Sequence, residues 1–362
     1  MKKILILVND VTTVLQFRCE LVRALVAEGH EVVVSVPKSD RIPEIEALGA
    51  KVVETAVARH GKNPFKDLKL LSNYKKLLKS LKPDVVLTFT IKPNVYGGMA
   101  CGKLKIPCIA NVTGLGAVVE NKGIMQNITL LLHKIGFKKV NCIFFQNQAN
   151  LNFFKNKKIV SKNAYLLPGS GVNLNKFQYM EYPDETIRPI NIVFVGRIMK
   201  VKGVFEIAEV AKMLQERTDI YFTIVGDVEE GTENPFVGIK NVNCVGYHKD
   251  VRPFLKDAHA VILASYHEGL ANVLLEGAAC GRPVLTTRVH GCQETIDEGV
   301  TGLGFEPKNV DSLKQTILAF LELPYEEKVQ MGIAGRKKVE AQYDRKIVIE
   351  VYKNKIKELT EK

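Results

Sequence analysis

AVILASYHEGLANVLLEG, Ala260 to Gly277, holds a strand, a short loop and a helix in eighteen residues. AVILAS is a near-continuous apolar run of strand length, and from about Asn272 the spacing turns helical. Glu268 therefore sits at a strand's carboxyl end. Gly269 lets backbone approach a ligand, and the helix that follows offers unpaired amides to an anion. Glu276, eight residues further on, lies about two turns deeper in that helix. Two carboxylates so related can touch different parts of one extended ligand. On spacing alone, a surface glutamate followed by an ordinary helix glutamate is the favoured reading.

Upstream, GRIMKVKG (Gly196 to Gly203) ends the apolar run INIVFV and precedes a helix from Val204. A guanidinium at Arg197 and an ammonium at Lys202, beside a helix start, suit a diphosphate. Taken alone they also read as solvated loop cations. The same alternation fills the second half, with YFTIVG, VNCVGY, AVILAS and PVLTT as strands. It also fills the first half, with KILILV, EVVVSV, KVVETA, DVVLTF, CIANVT, CIFFQN and AYLLPG. Helices are expected near Val14–Glu28, Lys66–Lys82, Asn94–Leu104, Asn127–Lys139 and Ala149–Asn156. Such runs belong to parallel sheets buried on both faces, so the fold class is α/β with two doubly wound Rossmann-like domains. The expected division is 1–172, a linker at 173–189, and 190–344. The default ligand site is the cleft at the carboxyl ends of the strands.

The length, 362 residues, fits two domains, and 46% hydrophobic with 25% charged residues excludes disordered and fibrous classes. No apolar run approaches the ~18 residues a spanning helix needs. Ile4 to Val8 is too short for a signal-peptide core, so a cytosolic strand is expected there. The seven cysteines form no C-x-x-C pair and read as buried thiols, with neither disulfides nor zinc. The net charge of +12 is uneven. Residues 1–175 hold 26 Lys and Arg against 11 Asp and Glu, whereas residues 176–362 hold 25 against 28. A basic half suggests an anionic partner or surface, or else a compositional drift toward lysine, and KDLKLLSNYKKLLKSLK (Lys66 to Lys82) is its densest stretch. Leu71, Tyr74, Leu78 and Leu81 form a stripe there, with lysines around the rest, suggesting a helix that packs on the sheet, meets an anionic membrane, or does both.

With the basic motif ahead of the acidic one, the chain resembles the GT-B glycosyltransferases of family 4, retaining nucleotide-sugar transferases, over nearly its whole length. GRIMKVKG fits that family's G-R-x(4)-K-G and HEGLANVLLEG its E-x(7)-E, while HGCQETIDEG fits its G-x-x-E loop. Phe17-Arg18, IKPN (Ile91–Asn94) and TGLG (Thr113–Gly116) resemble the branch that builds capsule, O-antigen and lipid-linked oligosaccharides. The resemblance implies that Arg197 and Lys202 hold the donor diphosphate and that Glu268 meets the sugar near its reacting carbon. It places Glu276 on the ribose hydroxyls, Glu294 in the donor loop, and Gly246-Tyr247 near the base. Gly196, His267, Gly269 and Leu270 fall around the same donor. UDP is implied rather than GDP, and a lipid-linked saccharide is the implied acceptor, met peripherally at the inner membrane face. The last helix, 345–362, is implied to cross back to the first domain.

The chain departs from the family where a Gly-Gly loop and a histidine are common. It has Asn9-Asp10-Val11-Thr12-Thr13 and Thr113-Gly114 instead. Hydroxyls of Thr12, Thr13 or Thr113 can substitute, with Gly114, Asn94 and the cations Arg18 and Lys92 on the acceptor side. With no D-x-D in the sequence, no metal or other cofactor is expected. A nucleotide-sugar 2-epimerase of the same architecture is the alternative enzyme. A nucleic-acid binder lacks zinc-finger spacing, an RNP-like aromatic strand and any tryptophan.

Overall fold

The computed structural model describes residues 1–57, 64–114 and 123–361. Within these the chain forms two compact units, Met1–Gly171 with Arg345–Lys362, and Val172–Asp344.

The first unit holds seven parallel strands: β1 (Lys3–Leu7), β2 (Glu31–Val36), β3 (Lys51–Glu54), β4 (Val85–Phe89), β5 (Cys108–Val112), β6 (Cys142–Phe145) and β7 (Ala164–Leu166). Their order is β3-β2-β1-β4-β5-β6-β7. Alternation in β1 shows why the run is continuously apolar. Leu5 and Leu7 enter one core while Ile4 and Ile6 enter the core on the opposite face. Helices α1 (Val11–Phe17), α2 (Cys19–Ala27), α3 (Ile42–Glu46), α4 (Pro64–Leu81), α5 (Gly98–Leu104), α6 (Ile124–Phe137) and α7 (Gln148–Asn156) connect them, and a π-helical turn, Pro93–Gly97, leads into α5. α6 meets that turn backbone to backbone. A Cβ on Gly136 would lie 2.8 Å from Val95 Cα, and one on Gly98 would lie 2.5 Å from Gly136 O.

The second unit holds six parallel strands: β8 (Ile190–Val195), β9 (Ile220–Val225), β10 (Val242–Gly246), β11 (Ala260–Leu263), β12 (Val284–Thr287) and β13 (Gly302–Phe305). Their order is β10-β9-β8-β11-β12-β13. Its helices are α8 (Val204–Met213), α9 (Arg252–Lys256), α10 (Asn272–Ala279), α11 (Val310–Glu322) and α12 (Tyr325–Gln342). The final helix, α13 (Arg345–Thr360), belongs to the first unit, where Tyr352 and Ile356 enter the core and the Arg345 guanidinium donates to Gly171 O. Both sheets reverse direction of growth once, between β1 and β4 and between β8 and β11. Ligands of doubly wound sheets bind at the carboxyl ends of such strand pairs.

Several expectations need correcting. Residues 173–189 are part of the second unit: Phe177 and Tyr182 are buried in it, and the Tyr182 hydroxyl donates to His259 O at 2.9 Å. Irregular backbone with two buried aromatics is packed chain, not a linker. The helix expected at Val14–Glu28 is two helices, broken at Arg18, whose φ of −134° leaves the helical region. In α4, Tyr74 and Leu78 are wholly buried, so the expectation that its stripe packs on the sheet holds. The cysteines are all free thiols, yet Cys244 is exposed because β10 is an edge strand. Among the described residues no helix is long and apolar enough to cross a membrane.

Candidate active site

The switch point of the second sheet brings the two motifs together. Arg197 and Lys202 follow β8, Glu268 follows β11, and those strands are neighbours. The Lys202 ammonium is bonded to the Glu268 carboxylate, and the Ser265 hydroxyl donates to Glu268 Oε1 at 2.8 Å. Ser265 is itself fixed, since Thr287 donates to its carbonyl at 2.7 Å. The two loops run in contact: Tyr266 N–H donates to Val201 O, and Gly203, at φ +69°, has room for no Cβ because Ala264 O lies 2.0 Å away from that position. The helices α8 and α10 begin behind Gly203 and Ala271, neither of which supplies a side-chain cap. Uncapped helix starts of this kind suit an anion, although Leu274 N–H in the first turn of α10 already donates to Ala271 O.

Behind Glu268 lies the loop His290–Thr295. Glu268 N–H donates to His290 O and Ala271 N–H to Gly291 O. Gly291, at φ +88°, passes so close that a Cβ would sit 2.5 Å from Glu268 O. The Glu294 carboxylate accepts from Gly291 N–H at 2.6 Å and lies 3.3 Å from His290 Nδ1, so it braces this loop. Arg197 is ion-paired with Glu229 and about half exposed. Gly246 O accepts from Gly226 N–H, and the exposed Tyr247 is held through its N–H to Asp227 Oδ1 at 3.1 Å. Gly196 sits just beyond β8, its N–H donating to Val225 O. His267 and Glu276 are half-buried, while Gly269 and Leu270 are buried in the loop and helix start. Among the described residues no group of three or more His, Cys, Asp or Glu is placed to hold a metal.

The first unit treats its expected acceptor residues differently. Thr12 and Thr13 lie in the first turn of α1, half-buried, with Thr12 N–H capped by Asp10 Oδ1 at 2.8 Å. Arg18 is not a surface cation. It is 2% exposed, its guanidinium lies 4.6 Å above the Phe89 ring, and burial lowers its pKa. Asn94 is buried too, accepting from Thr88 and donating to Asn111 O, which ties the π-helical turn to the sheet. Lys92 is paired with Asp67 at 2.8 Å. Thr113 and Gly114 are half-buried; the rest of TGLG, Leu115 and Gly116, lies outside the described residues.

Comparison with known proteins decides what this arrangement belongs to. The family described as "Glycosyl transferases group 1" matches residues 189–323, and "Glycosyl transferase 4-like" matches residues 3–147. The N,N'-diacetylbacillosaminyl-diphospho-undecaprenol alpha-1,3-N-acetylgalactosaminyltransferase of Campylobacter jejuni is 30% identical, covering 94% of each chain. The chain belongs to the group 1 glycosyltransferases. The UDP-Gal:alpha-D-GlcNAc-diphosphoundecaprenol alpha-1,3-galactosyltransferase of Escherichia coli is 26% identical over 68% of each chain. A crystallised glycosyltransferase from Rickettsia africae superposes with a TM-score of 0.81 at 19% identity, covering 99% of this chain and 98% of that one, so the fold is GT-B. These relatives are transferases by name and lend the epimerase alternative no support.

Sequence reasoning missed several partners in this glycosyltransferase. Ser265 was visible only as the polar residue ending an apolar strand run. Asp227, directly after YFTIVG, offered the same signal. Glu229, which holds Arg197, offered none, because its pairing depends on how two loops meet.

Proposed function

We propose that this glycosyltransferase moves a hexose or N-acetylhexosamine from a UDP-sugar to a saccharide carried on undecaprenyl diphosphate, with retention at the anomeric carbon and without a metal. The observation that carries the reading is the Lys202–Glu268 pair at the switch point, flanked by Arg197 and two uncapped helix starts. When the anomeric C–O bond breaks, negative charge gathers on the departing diphosphate. Lys202, Arg197 and the first-turn amides answer it. A Lys202 ammonium has three N–H groups, so one bond to Glu268 leaves donors for phosphate oxygens. Glu268, beside the same point, favours the positive charge that develops at the anomeric carbon. The bond to the acceptor oxygen then forms, and its hydroxyl proton leaves with the diphosphate.

The lipid-linked acceptor is supported by the names of the Campylobacter jejuni and Escherichia coli relatives, both of which act on diphospho-undecaprenol saccharides. Assembly would proceed peripherally at the inner membrane face, which suits the basic first unit. The test is a panel of nucleotide sugars with lipid-linked saccharide extract. UDP release that requires acceptor and yields an extended glycan is expected. Sugar isomerisation, or no turnover with any donor, overturns the proposal.

A further inference from the structure

Helix α6 presents apolar side chains to both sides. Inward, Leu130 and Phe137 are buried with His133, whose ring stands edge-on to Phe137 and Phe154. Outward, Ile124, Ile128, Leu131 and Ile135 are 78%, 45%, 57% and 49% exposed, with Met125 beside them. Positions i, i+4, i+7 and i+11 fall in one line, so this is a continuous row about 17 Å long. A water-facing helix carries polar residues on that side, and an exposed row of this kind marks an interaction surface.

A second patch lies at the same end of the sheet. Phe65 and Leu68, 81% and 62% exposed, open α4. Between them Asp67 accepts from Lys92 and from the Tyr96 hydroxyl, fastening this turn to the π-helical turn against which α6 also packs. Both helices follow strands of one parallel sheet on the same face, so both begin at its carboxyl edge.

The charge around these residues names the occupant. Residues 124–171 contain seven lysines and no Asp or Glu, and Lys134, Lys138 and Lys139 are exposed along and just beyond the last turn of α6. An apolar row whose own stretch of chain, residues 124–171, carries lysines as its only charges fits an anionic phospholipid surface, with aliphatic groups below the headgroups and ammoniums among them. We propose that α6 lies in the plane of an anionic bilayer on its Ile124–Ile135 row, with Phe65 and Leu68 entering beside it. This rests on the lipid-linked acceptor proposed above and names the surface that brings the enzyme to it. The lysines of α4 then contribute charge only, since its own stripe is in the core.

The chain has no tryptophan, so one introduced indole reports without background. Leu131→Trp is mixed with vesicles of phosphatidylglycerol and phosphatidylcholine in equal parts, free of any glycan. Val237→Trp, at a still more exposed position of the second unit, is the control. The expected result is a blue shift and quenching by brominated acyl chains for Leu131→Trp and neither for the control. Ile128→Ser with Leu131→Ser should lower vesicle partitioning by about tenfold or more, while thermal stability and turnover on a short-chain, water-soluble acceptor stay at wild-type values. Unchanged Leu131→Trp emission on adding vesicles overturns the proposal. So does a blue shift without vesicles that grows with protein concentration, which would give this face to a second copy of the chain. Vesicle insertion by a protein with no transferase turnover upholds the surface and removes the functional reading instead.

Discussion

Lys202 and Glu268 are bonded to each other across the carboxyl ends of β8 and β11, 66 positions apart in sequence. The cation proposed for the leaving group and the carboxylate proposed for the sugar are thus in direct contact, and Ser265 donates to the same carboxylate oxygen, Oε1, that Lys202 meets. Each fixes its partner's position before a ligand arrives, which is what transition-state electrostatics require.

Replacing Glu268 by Gln keeps the shape and removes the charge. Turnover should fall by about a hundredfold or more, the scale of one lost transition-state contact, with a smaller change in donor KM. Steady-state kinetics on the extended-glycan product decide it, and near-native kcat would reject the assignment.

Arg197→Ala and Lys202→Ala should each weaken UDP binding, and the lysine variant should also lower kcat. Titration calorimetry with UDP separates the two effects. If these cations do what a metal does elsewhere, activity survives exhaustive EDTA treatment; an absolute requirement for added Mg²⁺ or Mn²⁺ at the chemical step contradicts that.

Gly291→Ala places a methyl group against the Glu268 carbonyl at a φ of +88°. The strain is on the order of 2 kcal/mol. A fall of a few degrees in the melting temperature is expected, together with a kcat loss beyond what the unfolded fraction explains. Unaltered kcat would show that the loop does not position Glu268.

His133 supplies a pH dependence. Burial lowers its pKa to about 4, below the ordinary 6.5 that it regains on unfolding. The unfolded chain therefore binds the extra proton first as pH falls. Stability from this group is complete above about pH 6.5 and is lost down to about pH 4, roughly 2 kcal/mol of it by pH 5. His133→Phe, which keeps an aromatic ring beside Phe137 and Phe154, should flatten the decline in melting temperature between pH 6.5 and 5. An equally steep decline in the variant would assign the acid sensitivity elsewhere.

Most of the architecture was readable because strands buried on both faces, such as β1 and β4, must be apolar throughout and so stand out from amphipathic helices. That Lys202 and Glu268 each follow a strand was readable from the two motifs, and the strands prove to be neighbours. The burial of Arg18 was not readable, since nothing local shows that its guanidinium rests on Phe89, a residue 71 positions away. The five-residue helix α3 was too short to show a period. The outward row of α6 was hidden for a different reason. IMQNITLLLHKIGF is apolar on two sides, and only the packed fold shows which one the core uses.

The glycine contact between α6 and the π-helical turn has one more implication. With Gly136 against Val95 and Gly98 against Gly136 O, the helix is clamped by main chain and by its inner side chains. Its outer residues are not part of that clamp. The lipid contact proposed for that row is accordingly a separable trait. It can be rewritten residue by residue, toward weaker or tighter adhesion, with the clamp at Gly136 and the Lys202–Glu268 pair left alone.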